Sequence, residues 1–419
     1  MITKLKLLSL IAVLFVAGSC EKLPEKNAPD KMRVMFTDDP STTVTIAWNR
    51  YESDQNEDRV YFDTQDHGSD IDSYKFSKSP DQYTDFIGFK TAFVKLEDLV
   101  PNTRYYFLIV SNFGQTKRYY VETLPDSRDE RISVISGGDS RNNRVPRQAA
   151  NSLVAKLKPH FVFFGGDMTS LGTTKQWSQW FDDWQLTIAP DGRVTPIVPA
   201  RGNHEYGNTV LSELFGITKS NYYSLKIAGG LIQAYTLNSE ISTGGTQFEW
   251  LQNEMDNNTD AFWKIVQYHK PMRPHVKSKK EGTSQYNDWV DTFYDNRVDL
   301  IFESDAHTVK STWPIRPTTE EGSFEGFIRD DVNGMVFVGE GCWGAPIRDA
   351  DDIKPWTRES GKFNQFKWVF FDQDKIELRT VKVDNAAEVG SVDLNDRFLE
   401  PAGIDLWETV HGKVMTITK

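Results

Sequence analysis

Ile132-Ser133-Val134-Ile135-Ser136-Gly137-Gly138-Asp139-Ser140-Arg141 and His160-Phe161-Val162-Phe163-Phe164-Gly165-Gly166-Asp167 share one plan: an apolar run, then glycine, then aspartate. Short apolar runs bounded by glycine are strand signals. Three further runs, Pro196 to Ala200, Trp263 to Gln267 and Asp299 to Phe302, lead into Gly202-Asn203-His204-Glu205, Tyr268-His269-Lys270-Pro271 and Ser304-Asp305-Ala306-His307. A parallel or mixed sheet carries such strand ends to one edge. Residues scattered from 139 to 307 thereby converge on one pocket, with enough oxygen and nitrogen ligands for two metal ions.

The intervals between these runs have helical spacing. Ala150, Leu153, Val154 and Leu157 predict a helix over Arg147 to Lys158, opened by Pro146 at a first-turn position. Trp177, Trp180, Phe181 and Trp184 form a second stripe, which the spacing assigns to the core. Strands alternating with helices predict an α/β domain over residues 131–383. Near its end, Trp368 to Phe371 and Lys375 to Val383 flank Asp372-Gln373-Asp374 as a hairpin. Residues 384–419 lack strong periodicity and read as an extension wrapping the surface.

Upstream the period changes to two. Val34 and Phe36, then Val44, Ile46 and Trp48, then Tyr105, Phe107 and Ile109 alternate with polar residues, predicting an all-β sandwich over residues 32–124. Pro125 to Arg131 is a polar linker. Residues 1–19 read as a signal peptide, with Lys4 and Lys6 before an apolar Leu7 to Ala17. Small residues then lead to Cys20, which resembles the acylated cysteine of bacterial lipoproteins, although Ala17 stands where such signals usually carry a larger aliphatic residue. An ordinary cleaved secretory signal is the alternative. With Cys20 acylated, residues 20–31 would be a tether holding the exported chain to a membrane.

Charge and cysteine usage narrow the function. A net charge of −12 argues against nucleic acid, which is held by Lys and Arg clusters. Only Cys20 and Cys342 are present, so no disulfide framework supports the fold.

Aspartates, an amide and imidazoles at strand ends make a mixed ligand set suited to hydrolysis with two divalent ions. Their order, Gly-Asp, Gly-Asp, Gly-Asn-His-Glu, a strand-end His and an Asp-x-His before Thr312-Trp313-Pro314, resembles the calcineurin-like metallophosphoesterases. The purple-acid-phosphatase-like branch is the nearest, because the segment Leu99 to Tyr105 resembles the tyrosine corner of a fibronectin type III module, which that branch carries before its catalytic domain.

The resemblance implies a four-layer α/β metallophosphoesterase sandwich behind the fibronectin-like sandwich, and a dinuclear site where a metal-bound hydroxide attacks phosphorus. It implies that Asp139 binds the first metal, Asp167 bridges both, Asn203 and His269 bind the second, and His307 returns to the first. His204 would contact phosphate or protonate the leaving group. The expected substrate is a phosphorylated small molecule, most simply a monoester. A phosphodiesterase or nucleotide hydrolase of the same fold, and a surface binding protein that has lost hydrolysis, are the alternatives.

Three departures stand out. Asp305 replaces a second-metal histidine and hardens the site, favouring manganese, iron or magnesium, with zinc also possible. Ser170 stands where purple enzymes carry a tyrosine. Arg141 replaces a histidine ligand and reads either as a phosphate clamp or as the partner of a carboxylate. Asn143 would compensate by binding metal or substrate, and His275 is placed as a substrate-facing histidine or a plain loop residue. Gly339 to Pro346 reads as a rim loop, with Trp343 as a lid.

Overall fold

The computed structural model describes residues 29–50 and 58–419. The expected signal peptide and Cys20 lie outside the described residues, as does most of the tether. The first strand, β1 (Asp30–Met35), starts inside the segment expected to be tether.

The period-two segments form β1, β2 (Val44–Arg50), β3 (Arg59–Asp63), β4 (Phe76–Lys78), β5 (Gln82–Phe86), β6 (Phe89–Leu96), β7 (Arg104–Ser111), β8 (Gly114–Gln115) and β9 (Tyr119–Glu122). One sheet runs β1-β2-β6-β5 and the other β4-β3-β7-β8, with β9 also on β7. Val34, Ile46 and Trp48 from the first meet Val60, Phe107 and Ile109 from the second in one core, all buried. The Tyr105 hydroxyl accepts the Val100 N–H at 2.9 Å, closing the expected tyrosine corner.

The α/β part follows with β10 (Ile132–Gly137), α1 (Arg144–Leu157), β11 (Phe161–Phe164), α2 (Thr174–Trp184), β12 (Ile197–Pro199), α3 (Val210–Phe215), β13 (Tyr223–Ile227), β14 (Ile232–Thr236), α4 (Thr246–Asn257), β15 (Trp263–Gln267), α5 (Thr283–Asp295) and β16 (Leu300–Phe302). It ends with β17 (Val309–Thr312), β18 (Ile315–Pro317), β19 (Phe327–Arg329), β20 (Val336–Gly339), β21 (Thr357–Gly361), β22 (Gln365–Phe371), β23 (Lys375–Lys382) and β24 (Val414–Thr418). One sheet is ordered β24-β23-β22-β10-β11-β12 and the facing sheet β13-β14-β15-β16-β20-β17-β21. Phe163 and Phe302 meet across them with ring centroids 5.8 Å apart.

Helices cover both outer faces. Leu153 and Val154 of α1 and the whole Trp177-Trp180-Phe181-Trp184 stripe of α2 are buried in the larger core, as the helical spacing requires. Leu251, Met255, Trp289 and Phe293 of α4 and α5 pack on Val266 and Ile301 of the second sheet. The result is a four-layer α/β sandwich behind an all-β domain.

Two features depart from the expected organisation. β1 pairs in parallel with β12, Met35 opposite Ile197, so a sheet of the N-terminal sandwich continues into the first sheet of the α/β part. The C-terminal segment is more than a surface wrap: β24 adds to β23 as an edge strand, with Met415 opposite Leu378 and 8% exposed. That strand is only five residues long and too short to register as a period.

Candidate metal centre

β10, β11 and β12 run parallel, as do β15 and β16, so the turns after them share one edge of the molecule. Asp139, Arg141, Asp167, Asp305 and His307 in those turns all have positive φ, between 47° and 65°. An L-residue in that region costs about 1–2 kcal/mol, and such residues gather where function over-determines the backbone.

Hydrogen bonds hold the turns in place. The Asp139 N–H donates to Gly166 O at 2.9 Å and the Asp305 N–H to Asp139 Oδ2 at 3.0 Å. Glu205, fully buried, accepts from the N–H groups of Asp167 (2.8 Å), Met168 (2.9 Å) and Gly202 (2.8 Å), stapling the β11 turn to the β12 turn. Burial and then the Asp167 charge push its carboxyl up to about 7. The two key carboxylates lie directly on glycine backbone. A Cβ on Gly341 would sit 1.8 Å from Asp139 Oδ2, and one on Gly202 would sit 2.4 Å from Asp167 Oδ1.

Two ligand triads share one residue. Asp139, Asp167 and His307 bring one donor atom each within 4.8 Å of one another, and so do Asp167, His269 and Asp305; all five residues are buried. Asp139 Oδ1, Asp167 Oδ2 and His307 Nε2 are buried without a hydrogen bond, although His307 Nε2 lies 3.0 Å from Asp139 Oδ1 and the Arg141 guanidinium 3.0 Å from Asp167 Oδ2. Buried polar atoms of this kind are costly unless something satisfies them, and a cation among them would do so.

Both histidines are set for this role. Nδ1 of His269 lies 2.7 Å from Gly165 O and Nδ1 of His307 lies 3.1 Å from Pro346 O. Each Nδ1–H therefore donates to a carbonyl and leaves Nε2 as the ligand atom. Burial opposes a charge on His269, but the carboxylates of Asp167 and Asp139 outweigh it and raise its pKa well above the usual range. Despite their own burial, Asp167 and Asp305 are held below the usual carboxylate range, mainly by His269.

The remaining candidates divide. Asn203 Oδ1 lies 3.2 Å from His269 Nε2, within the second triad's reach. His204 donates its backbone N–H to Asp167 Oδ1 at 2.8 Å, its Nδ1 rests on Ser170 O, and its Nε2 lies 4.0 Å from Asp167 Oδ2. The Arg141 guanidinium reaches Asp167 Oδ2 at 3.0 Å, while its Nε is buried without a hydrogen bond. Asn143 is exposed at the cap of α1, and its side chain makes no cap hydrogen bond.

His275 is not brought to the cluster. Its side chain is fully buried, with Nε2 2.6 Å from Thr357 Oγ1 and Nδ1 3.8 Å from Glu340, so it faces the protein rather than a substrate. Trp343 is likewise no lid. Its indole packs among Phe164 and Phe366 and donates to Asn151 Oδ1 at 2.8 Å.

Sequence reading missed Lys279, whose Nζ lies 2.7 Å from Asp305 Oδ1. The only available signal was the basic run Lys277-Ser278-Lys279-Lys280 downstream of His269. A third acidic group, Glu281, Glu325 and Asp352, already surrounds the Lys354 ammonium at 2.8–3.9 Å and has its cation built in.

Comparison with known proteins agrees with this geometry. Residues 139–309 match the calcineurin-like phosphoesterase family and residues 29–123 the purple acid phosphatase N-terminal domain. An uncharacterized protein of Mycobacterium tuberculosis is 22% identical over 345 residues, which span 68% of this chain and 62% of that protein. This chain thus spans less than two thirds of its relative's length.

Among solved structures, purple acid phosphatase PPD1 from seeds of yellow lupin (Lupinus luteus) is similar with a TM-score of 0.70 at 16% identity, over 89% of this chain and 76% of that one. PhoD is similar with a TM-score of 0.65 at 12% identity, over 94% and 93%. At such identities the likeness is one of fold. The family matches, with the two triads on the strand ends, make residues 139–309 a calcineurin-like phosphoesterase domain and residues 29–123 a purple acid phosphatase N-terminal domain.

Proposed function

We propose that this chain is an exported phosphoesterase that hydrolyses phosphate monoesters at a dinuclear metal site and is anchored by lipid on Cys20. The observation that carries the reading is the sharing of Asp167 between two triads, in which Asp139 Oδ1, Asp167 Oδ2 and His307 Nε2 are buried without a hydrogen bond. Asp139 and His307 would complete the first metal site; His269, Asp305 and Asn203 would complete the second. Two divalent ions held there supply an activated water nucleophile and neutralise charge on the attacking and leaving oxygens. Carboxylate-rich ligation favours manganese, iron or magnesium.

The chain's own groups do the rest. Arg141 and Lys279 approach the triads through Asp167 and Asp305 respectively. With the carboxylates engaged by metal, both side chains would be available to hold phosphoryl oxygens. The planar fork of Arg141 fits two of them. His204 has Nδ1 fixed on Ser170 O and Nε2 toward Asp167, which positions it to give a proton to the leaving oxygen.

Charge favours the monoester. Three aspartates against Arg141, Lys279 and two divalent ions leave a net of three positive charges, which a phosphate dianion offsets better than a diester monoanion. Export and anchoring rest on residues 1–20, where a basic start, an apolar stretch and a cysteine follow in order. The test compares kcat/KM for an aryl monoester and a bis-aryl diester with manganese-loaded protein. A preference for the diester overturns the substrate assignment.

A further inference from the structure

A cleft of about 340 Å³ opens where the N-terminal sandwich, the catalytic domain and the C-terminal segment meet, with Arg104, Glu122, His160 and Arg397 in its walls. Its charge runs against that of the chain as a whole, which is −12. Glu122 pairs with Arg104 at 3.1 Å, Arg397 at 2.8 Å and Arg193 at 3.5 Å, so three guanidinium groups share one carboxylate. Despite burial, Arg193 and Arg397 hold that carboxyl down to about 2, and it is ionised throughout the working range. Two positive charges are left over.

The donors around it are not used up. Arg193 is committed to the protein, donating also to Thr195 Oγ1 at 3.0 Å and Pro159 O at 2.6 Å. The Arg104 side chain is 37% exposed, and its Nη1 reaches only the Tyr106 hydroxyl at 3.4 Å. Arg397 makes one close contact, to Glu122, and a long one of 3.5 Å to Lys158 O. His160 Nδ1 lies 2.9 Å from the Ser133 nitrogen and 3.3 Å from its oxygen, so the shorter contact makes Nδ1 the acceptor and places the ring proton on Nε2. That Nε2–H meets no acceptor among the described residues.

Arg104, Arg397 and His160 keep free donors, and the one carboxylate is fully engaged. We propose that this cleft is a binding site for a small molecule carrying a tetrahedral oxyanion, held by Arg104, Arg397 and His160. A planar guanidinium pair and an imidazole N–H match the oxygens of sulfate or phosphate. The space exceeds a bare oxyanion, at about 30 Å³ for each water displaced, and the hydroxyls of Thr64 and Thr103 line what remains. Occupancy would tie together three parts of the chain and does not depend on the reaction at the metal centre.

The test is isothermal titration of the metal-loaded protein with sulfate and with a hydroxyalkyl phosphonate, which resists phosphatases. Wild type is expected to bind one more equivalent of each anion than Arg104→Gln, and Arg104→Lys to restore at least part of the binding. Equal stoichiometry in wild type and Arg104→Gln overturns the proposal. Should Arg104→Gln fail to fold, wild-type crystals soaked in selenate decide by anomalous scattering: a peak between Arg104 and Arg397 supports the site, and a map with no peak there refutes it.

Discussion

Gly341→Ala is the sharpest probe of the metal centre. Gly341 has φ of +71°, and an added Cβ would lie 1.8 Å from Asp139 Oδ2 and 2.4 Å from its Cγ. Two costs follow. The left-handed backbone costs about 1–2 kcal/mol, small against the 5–15 kcal/mol stability common for a domain, so the protein stays folded. The clash is the larger effect. Ordinary contact begins at 3.4 Å, so the carboxylate must retreat by about 1.6 Å, whereas ligand distances tolerate about 0.2 Å.

The first metal should therefore be lost and the second kept. Disturbing a supporting residue already costs about 10–100-fold in metal affinity, and displacing a ligand should cost at least about 100-fold. Metal analysis of the folded variant should give one ion per chain in place of two, with aryl-phosphate hydrolysis reduced in proportion. Gly68→Ala is the control, because it carries a similar φ of +58° with nothing within 4 Å of the added Cβ. It should lose the strain energy and no metal. A Gly341→Ala protein that binds both ions with wild-type affinity would refute the placement of Asp139 in the first site.

Asp305→Ala should lose the second-site ion while Asp305→His retains activity; an alanine variant that behaves as wild type removes Asp305 from the ligand set. Because neighbouring carboxylates hold a proton on His269 in the metal-free protein, manganese must displace it. Metal uptake should release protons, and affinity should fall by about tenfold per pH unit on acidification; an affinity independent of pH contradicts this. The Asp299 side chain is mostly buried, and that burial lifts its carboxyl from 3.8 to about 6 against the pull of Lys419. Its neutral form favours folding fully below pH 3.8, and that contribution, about 3 kcal/mol, is lost as pH rises through about 6. Asp299→Asn should therefore gain stability over wild type in urea unfolding at pH 7 and not at pH 3.5, and an equal gap at both pH values would contradict the assignment.

The parts of the structure visible in the sequence were those with local periodicity. Strand ends bearing Asp139, Asp167, Asn203, His269 and His307 announced themselves because an apolar run and a polar stop are adjacent in the chain. The Trp177 to Trp184 stripe was legible for the same reason. Pairing between β1 and β12 was not, since Met35 and Ile197 are far apart in the chain and a parallel contact leaves no mark on either segment. Lys279 and His275 exchanged expectations: both follow His269 on one loop, and only the fold reveals that His275 turns inward to Thr357 while Lys279 turns to Asp305. Glu205 stood beside the expected ligands, yet its three backbone hydrogen bonds depend on how two turns pack.

The account rests on Asp167 lying between two metal ions. Electron paramagnetic resonance of the manganese-loaded protein tests this most directly, because ions bridged by one carboxylate at about 3.5–4 Å couple magnetically. Wild type is predicted to show a spin-coupled pair that Asp167→Asn abolishes. A wild-type spectrum of isolated manganese at full loading would contradict the shared site.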